Sequence, residues 1–120
     1  YQRVRKSIGK ERTFGPAIDT QTEVDDELQR IAAMVVKAMD DKKKHGKTLV
    51  LKIRYADFST FTKRVTMDNY LKNSPEEYFT LANDLLVDMP DISKGVRLLG
   101  ITITNLDDLT YENIVLHLFD

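Results

Sequence analysis

Lysine, arginine and hydroxyl side chains recur along the extended segments of this 120-residue sequence. Lysine and arginine displace the counterions of a phosphate backbone, and hydroxyl groups donate hydrogen bonds to phosphate oxygens. The segment before Gly15 has five cations against one anion, Glu11, and three later segments add more. The cations are Arg3, Arg5, Lys6, Lys10, Arg12, Lys47, Lys52, Arg54, Lys63, Arg64, Lys94 and Arg97. The pattern favours a surface that binds a polyanion such as nucleic acid.

The formal net charge of −1 conceals a separation of charge between segments. Acidic residues cluster in two segments of helical periodicity, at 23–27 and 76–88. If both helices cover one face of a sheet, the opposite face is basic. A second interpretation stays open, because macrodipoles favour acids in the first turn of any helix. Basic residues on an exposed sheet also discourage aggregation in any protein.

Side chains that could carry out catalysis are few. His45 and His117 are the only histidines and lie far apart, so we interpret each as solvated or incidental rather than as a metal ligand. The acidic pairs at 25–26, 40–41 and 107–108 could suggest a two-metal site, but neighbouring side chains diverge on a helix or turn. The sequence also lacks a cysteine nucleophile and a phosphate-binding glycine loop. We predict no catalytic residue, no metal site and no cofactor in this chain.

The elements that position the basic residues follow from periodicity. Residues 4–14 are predicted to form a strand that Gly15 and Pro16 end. Thr20 or Thr22 caps a helix, since apolar positions recur at helical spacing over 24–39. A polar turn is predicted over 40–46.

The second half of the chain repeats the alternation of strand and helix. Strands over 48–55 and 60–67 form a hairpin around a short connection at 56–59. Ser74-Pro75-Glu76-Glu77 begins a second helix, which Pro90 ends. The last strand covers 96–104, with a twist or bulge near Gly100 because Arg97 shares the parity of its apolar residues. We predict an α+β fold of βαββαβ order, with two helices on one face of a four-stranded antiparallel sheet.

Length and composition limit the class of protein. A chain of 120 residues with 42% hydrophobic residues can form one globular domain with a buried core. The absence of cysteine excludes a disulfide scaffold and fits a reducing compartment such as the cytoplasm. No apolar run is long enough to cross a membrane, so we expect no membrane partner. The sequence begins at Tyr1 rather than with methionine, and we expect it to be part of a larger protein.

Three motifs in order along the chain match one known family. Arg5-Lys6-Ser7-Ile8-Gly9-Lys10-Glu11-Arg12-Thr13 fits R-K-S-[VI]-G-x-E-x-T, and Gly95-Val96-Arg97-Leu98-Leu99-Gly100 fits G-[VI]-R-[LR]-[LIV]-G. Residues 50–58, which end in Asp57-Phe58, resemble the family's second strand. Over essentially its whole length the chain resembles the little finger domain of bacterial DNA polymerase IV, the DinB-type translesion polymerases of the Y family.

The resemblance implies a domain that grips primer–template duplex by its backbone, without sequence specificity, during translesion synthesis and DNA repair. The catalytic carboxylates and Mg²⁺ of such a polymerase lie in the palm of the larger protein, outside this chain. Gly9 has a physical role available, because a residue without a side chain lets its N–H approach a phosphate. Carried over by position, the DNA contacts are Arg5, Lys6, Ser7, Gly9, Thr62, Lys63, Arg64 and Arg97. We expect a monomer.

The last residues resemble the family's sliding-clamp-binding peptide. Val115, Leu116, Leu118 and Phe119 fit the shorter pattern Q-L-x-L-F, with Val115 where glutamine is usual. Residues 113–118 fit the longer pattern Q-L-x-L-x-L, with Asn113 in that place. We therefore divide the chain into a DNA-binding domain, 1–106, and a tail, 107–120, that binds the bacterial sliding clamp. A final strand packed on the core is the alternative for this segment.

Two other functions stay open at this point. The chain could be the little finger of a UmuC-type relative, which shares the fold and the grip on DNA. It could also be a βαββαβ protein-interaction module with no role in nucleic-acid binding.

Overall fold

A computed structural model describes residues 7–108, which form a four-stranded antiparallel sheet and two helices. The elements are β1 (Ile8–Ile18), α1 (Gln21–Lys42), β2 (Lys44–Tyr55), β3 (Thr60–Thr66), α2 (Pro75–Leu86) and β4 (Val96–Asp108), with one 3₁₀ turn at Ile92–Lys94. The strand order is β1-β4-β2-β3, so the last of these four strands lies inside the sheet. The predicted α+β fold and βαββαβ order are confirmed.

The core lies between one face of the sheet and the helices. In β2 the side chains of Leu49, Leu51 and Ile53 are fully buried, and they alternate with the partly exposed Val50, Lys52 and Arg54. Helix α1 packs against β1 and β4, α2 packs against β2, and the two helices contact each other. Burying each leucine or isoleucine contributes about 1.5–3 kcal/mol relative to leaving it exposed. The period-two pattern of the strands therefore determines which face the helices cover.

Both helices begin at the predicted type of cap. Of the two candidate caps of α1, Thr20 is the one used: its Oγ1 accepts the N–H of Glu23 at 3.2 Å and donates to Glu23 Oε1 at 2.9 Å. Ser74 accepts the N–H of Glu77 at 3.5 Å and precedes Pro75, the first residue of α2. Each cap satisfies an N–H group that has no partner within its helix.

Three predicted boundaries are wrong. Strand β1 continues past Gly15 and Pro16 to Ile18, with a register shift between Thr13 and Ile18. A proline is tolerated there because β1 is an edge strand, where a missing N–H need not break a ladder. Helix α1 continues to Lys42, so the predicted polar turn over 40–46 is reduced to one residue. Helix α2 ends at Leu86, four residues before the predicted stop at Pro90.

Strand β4 also differs from its prediction at both ends. Its bulge lies at Arg97 rather than near Gly100, because Arg54 pairs with Leu98 while the next residue, Tyr55, pairs with Val96. At its other end β4 reaches Asp108, which pairs with Lys44 of β2. The sheet therefore includes the first two residues that the sequence assigned to the tail.

Candidate nucleic-acid interface

The face of the sheet away from the helices is rich in threonine and in cations. Its members have the opposite parity to the core residues that face the helices, and we call this surface the open face. They are Gly9, Glu11 and Thr13 of β1; Leu98, Gly100, Thr102 and Thr104 of β4; Thr48, Val50, Lys52 and Arg54 of β2; and Thr60, Thr62, Arg64 and Thr66 of β3. Three cations oppose one anion on the open face, so it is locally positive.

Hydrogen bonds between neighbouring strands fix several of these side chains. The hydroxyls of Thr48 and Thr66 are 2.9 Å apart, and Asn105 Nδ2 donates to Thr48 Oγ1 at 2.6 Å. Arg54 Nε donates to Thr60 Oγ1 at 2.9 Å. A guanidinium has five N–H donors, so a bond through Nε orients Arg54 and leaves it able to bind an anion through its terminal nitrogens.

A glycine separates the two opposite charges at the middle of the open face. Gly100 of β4 pairs with Glu11 on one side and with Lys52 on the other. Lys52 Nζ lies 3.8 Å from Glu11 Oε1, so this ion pair crosses above the glycine. A Cβ at position 100 would lie 3.0 Å from Glu11 Cβ and crowd the crossing. The pair partly neutralises Lys52 within a surface that is otherwise positive.

The structure places some of the predicted DNA contacts together on the open face. Thr62 and Arg64 are exposed there on β3, and Gly9 is exposed on β1. Ser7 is exposed and directly precedes β1. A Cβ at Gly9 would collide with the hydroxyl of Thr102, so the close approach of the next strand already requires glycine here.

Other predicted contacts lie elsewhere. Lys63 pairs with the buried Leu51, so it belongs to the face on the helix side, opposite Arg64. Arg97 lies in the β4 bulge at one end of the sheet. Arg5 and Lys6, and the predicted clamp contacts Val115, Leu116, Leu118 and Phe119, lie outside the described residues.

Counting charge by strand overestimated the basic character of β1. Arg12 pairs with Leu99 and its Nε lies 2.7 Å from Glu27 Oε1 of α1, so it joins the sheet to the helix layer. Lys10 pairs with Ile101 and shares that side. Both residues have the parity of the buried Ile8, and alternation therefore excludes them from the open face.

The tip of the β2–β3 hairpin carries a feature that the sequence reading missed. Phe58 is 68% exposed, and the guanidinium carbon of Arg97 lies 4.9 Å from the centre of its ring. Asp57 Oδ1 accepts from the hydroxyl and the N–H of Ser59, and these hydrogen bonds hold the pKa of the Asp57 carboxyl below its ordinary value of 3.8. A large aromatic in a four-residue connection was the available signal, since such positions usually hold small or polar residues.

The prediction that His45 is solvated is wrong. Its ring is buried and stacks on the ring of Tyr70, with centroids 3.6 Å apart and an interplanar angle of 7°. Lys47 Nζ lies 4.9 Å from the same Tyr70 ring, and the Tyr70 hydroxyl donates to Asp107 Oδ2 at 2.7 Å. The cluster holds the segment after β3 against the end of β4.

Groups that could hold a metal ion are absent from residues 7–108, where no three histidine or acidic side chains converge. Within the same residues, neither helix is both long enough and apolar enough to cross a membrane. The cations and hydroxyl groups of the open face are suited to binding phosphate oxygens.

Comparisons with known proteins found a matching family and several similar proteins. The impB/mucB/samB family C-terminal domain matches residues 5–115. DNA polymerase IV of Streptococcus pyogenes serotype M28 (strain MGAS6180) is 44% identical over 106 residues, which are 88% of this chain and 29% of that protein. The polymerase IV of serotype M5 (strain Manfredo) is 43% identical over the same share of each chain. The chain thus spans less than a third of the curated relatives that it matches.

Two solved structures share the fold. A complex of the beta-clamp processivity factor and the little finger domain of PolIV superposes with a TM-score of 0.69 at 19% identity, covering 88% of this chain and 93% of that one. An insertion ternary complex of Dbh DNA polymerase gives 0.68 at 13% identity, covering 86% of this chain and 29% of that one.

Proposed function

Because this chain belongs to the impB/mucB/samB family as its C-terminal domain, we propose that it binds primer–template DNA through the open face. Its role is that of the little finger of a DNA polymerase IV, the family whose resemblance the comparisons confirm. Nucleotide addition with Mg²⁺ then takes place elsewhere in the larger protein, and this chain holds the DNA. It acts as a monomer in the cytoplasm, where bacterial DNA lies.

One observation carries the proposal: cations and hydroxyls lie in register across neighbouring strands. Lys52 is paired with Thr62, and Arg54 is paired with Thr60. Guanidinium, ammonium and hydroxyl groups all bind phosphate oxygens, and such contacts position a protein on DNA without reading the bases. We therefore expect binding that is strongly dependent on salt and indifferent to sequence.

A salt titration of duplex binding tests the proposal. With about four to six phosphates neutralised, log K should fall with log salt by about 0.9 per phosphate. Arg64→Ala should weaken binding to all sequences equally and reduce the slope by about 1, and Arg5→Ala should do the same. Arg30→Ala, at an exposed position of α1, is the matched control and should leave the slope unchanged. Binding that ignores salt, or that discriminates strongly between sequences, contradicts the proposal.

Lys63 provides a sharper test, since it neighbours Arg64 in the chain but lies on the other face of the sheet. If the open face is the interface, Lys63→Ala should reduce affinity less than Arg64→Ala at every salt concentration. Equal losses of affinity would indicate that DNA binds along the edge of β3, where both side chains are accessible.

We also propose that the tail binds the bacterial sliding clamp through Val115, Leu116, Leu118 and Phe119. The proposal is supported by the apolar character of these residues and by the fold shared with a little finger solved in complex with a clamp. Leucine and phenylalanine anchors each contribute about 1.5–3 kcal/mol when buried. Deleting residues 114–120 should therefore abolish capture by the clamp in a pull-down and leave the melting temperature unchanged.

The tail variants distinguish the two registers. Val115→Gln should tighten clamp binding if the shorter pattern is used, and Asn113→Gln should do so if the longer pattern is used. If the segment is instead a packed strand, the deletion lowers the melting temperature sharply, because losing a strand costs several kcal/mol. A destabilised deletion that still binds the clamp contradicts the tail proposal.

A further inference from the structure

Phe58 is held in an exposed position at the tip of the β2–β3 hairpin. The residue is 68% exposed, and its backbone φ is 69°, in the left-handed region that bulky residues rarely adopt. Leaving an apolar ring in water and a non-glycine residue in this conformation are both unfavourable. The combination therefore calls for a compensating role.

Hydrogen bonds make the tip rigid. The Phe58 N–H donates to the Tyr55 carbonyl at 2.8 Å, and the Tyr55 N–H donates to the Ser59 carbonyl at 2.9 Å. The Ala56 N–H donates to the Gly95 carbonyl at 2.8 Å, which ties the turn to the start of β4. The exposed ring thus stands on a fixed support, not on a loose loop.

Arg97 gives the ring a charged neighbour. As the unpaired residue of the β4 bulge, Arg97 brings its guanidinium carbon to 4.9 Å from the ring centre. The guanidinium lies over the phenyl ring, and an exposed ring held in this way offers a surface on which a nucleobase can stack. The site is continuous with the open face, because Arg54 pairs with both Thr60 and Leu98 one step before the turn.

We propose that Phe58 and Arg97 form a stacking platform for an unpaired base of the template strand, just beyond the duplex that the open face binds. The inference rests on the proposed binding of primer–template DNA. Bases inside a duplex already stack on each other, so a free aromatic face selects a single-stranded base. Every base has such a face, and the platform is therefore indifferent to sequence.

The test compares three DNA probes by fluorescence anisotropy at one salt concentration. They are a blunt duplex, the same duplex with a 5′ overhang of thymidines, and the same duplex with an abasic 5′ overhang. The two overhangs have equal numbers of phosphates, so their difference isolates stacking. We expect the 120-residue chain to bind the thymidine overhang about tenfold more tightly than the abasic one.

Substitutions assign that difference to the platform. Phe58→Ala should remove it and leave affinity for the blunt duplex unchanged. Arg97→Lys, which keeps the charge but loses the planar group, should reduce it in part. Val87→Ala is the matched control, since Val87 is 80% exposed and follows α2. Equal affinity of the unsubstituted chain for both overhangs, or an equal loss on all three probes with Phe58→Ala, overturns the platform.

A spectroscopic arm reports contact directly. The chain has no tryptophan, so Phe58→Trp introduces a single indole fluorophore at the tip. Its emission should be quenched by the thymidine overhang and not by the abasic one. Unquenched emission at saturation overturns the platform. If the chain fails to bind the blunt duplex, that result contradicts the proposed function and not the platform. In that case, binding to single strands of thymidine is compared with binding to abasic single strands, and this comparison tests stacking by itself.

Discussion

Glu11 is the one acidic residue on an otherwise basic and hydroxyl-rich face. Its carboxylate lies over Gly100, close to Lys52, and both side chains are partly exposed. An exposed ion pair contributes little to stability, about 0–1 kcal/mol. If the open face binds DNA as proposed, the main effect of the pair is on binding, because a phosphate that approaches Lys52 must compete with Glu11.

Glu11→Gln should therefore strengthen duplex binding about threefold at low salt, since it removes repulsion and releases Lys52. The affinity is measured by anisotropy at two salt concentrations, and the gain should shrink at the higher one. Glu76→Gln makes the same change in net charge within the first turn of α2. An equal gain in this control would show an effect of net charge alone.

Asp57 makes the hairpin tip sensitive to acid. Hydrogen bonds from Ser59 lower the pKa of its carboxyl when the chain is folded, so the ionised form stabilises the fold at pH above 3.8. This contribution is lost as the pH falls through the lowered pKa. Asp57→Asn keeps an acceptor for Ser59 but does not titrate, so its stability should fall less between pH 5 and pH 2. Melting curves recorded between pH 5 and pH 2 measure the stability of both proteins. An equal loss of stability in both would contradict the prediction.

Local interactions determine where a helix or strand ends, and they are stronger at some ends than at others. Lys43 adopts a left-handed conformation, with φ 54°, and its N–H donates to the Asp40 carbonyl at 3.1 Å. Glycine is the residue that usually holds such a position after a helix. The conformation of this single lysine ends α1 and starts β2.

Lys43→Gly should accordingly raise the free energy of unfolding by about 0.5–1 kcal/mol, because it removes the unfavourable contact of a Cβ. Lys42→Gly, one residue earlier, changes the last residue of α1 and should lower the free energy of unfolding. Urea unfolding measures both. Two changes of the same sign would show that the left-handed conformation is not what matters.

The sequence was informative where one strong signal acted alone. Ser74 was identified as a cap, Thr20 was one of two candidates, and the alternation of β2 identified its buried face. The end of β1 was missed because Pro16 breaks a central strand but is tolerated at an edge, and edge position depends on the strand order. Asp40 and Asp41 look like a loop, yet they lie on the exposed side of the last turn of α1.

The candidate site was less predictable because it also depends on how the strands are arranged in the sheet. Charges counted along β1 included Arg12, although its parity already assigns it to the face of Ile8. The partnership of Phe58 with Arg97 joins residues far apart in the chain through a bulge, and periodicity carries no information about such contacts.

The two layers of the molecule carry opposite charge. The cations Lys52, Arg54 and Arg64 lie on the open face, whereas the exposed acids of α1 and α2 lie in the other layer. A net charge of −1 is therefore compatible with binding a polyanion, since screening limits the acids' influence to about 10 Å at ordinary salt.

Protection from hydrogen exchange should reflect the layering of the sheet. We expect the slowest amides at Leu99, Ile101 and Ile103 of β4, which are buried in a strand with neighbours on both sides. Amides of the edge strand β3 should exchange faster. Nuclear magnetic resonance after transfer to heavy water measures both. Uniform rates across the sheet would contradict the expectation.

The strand order also determines when the domain can fold during synthesis. Among the strands of residues 7–108, β4 is translated last, yet it is the one that pairs with β1, and Ile8 pairs with Ile103. Until β4 has left the ribosome, β1 has no place in a sheet and β2 exposes one edge. Closing a loop of almost the whole chain is slow, and an open strand edge invites aggregation. The open face therefore forms in a single late step, when β4 inserts.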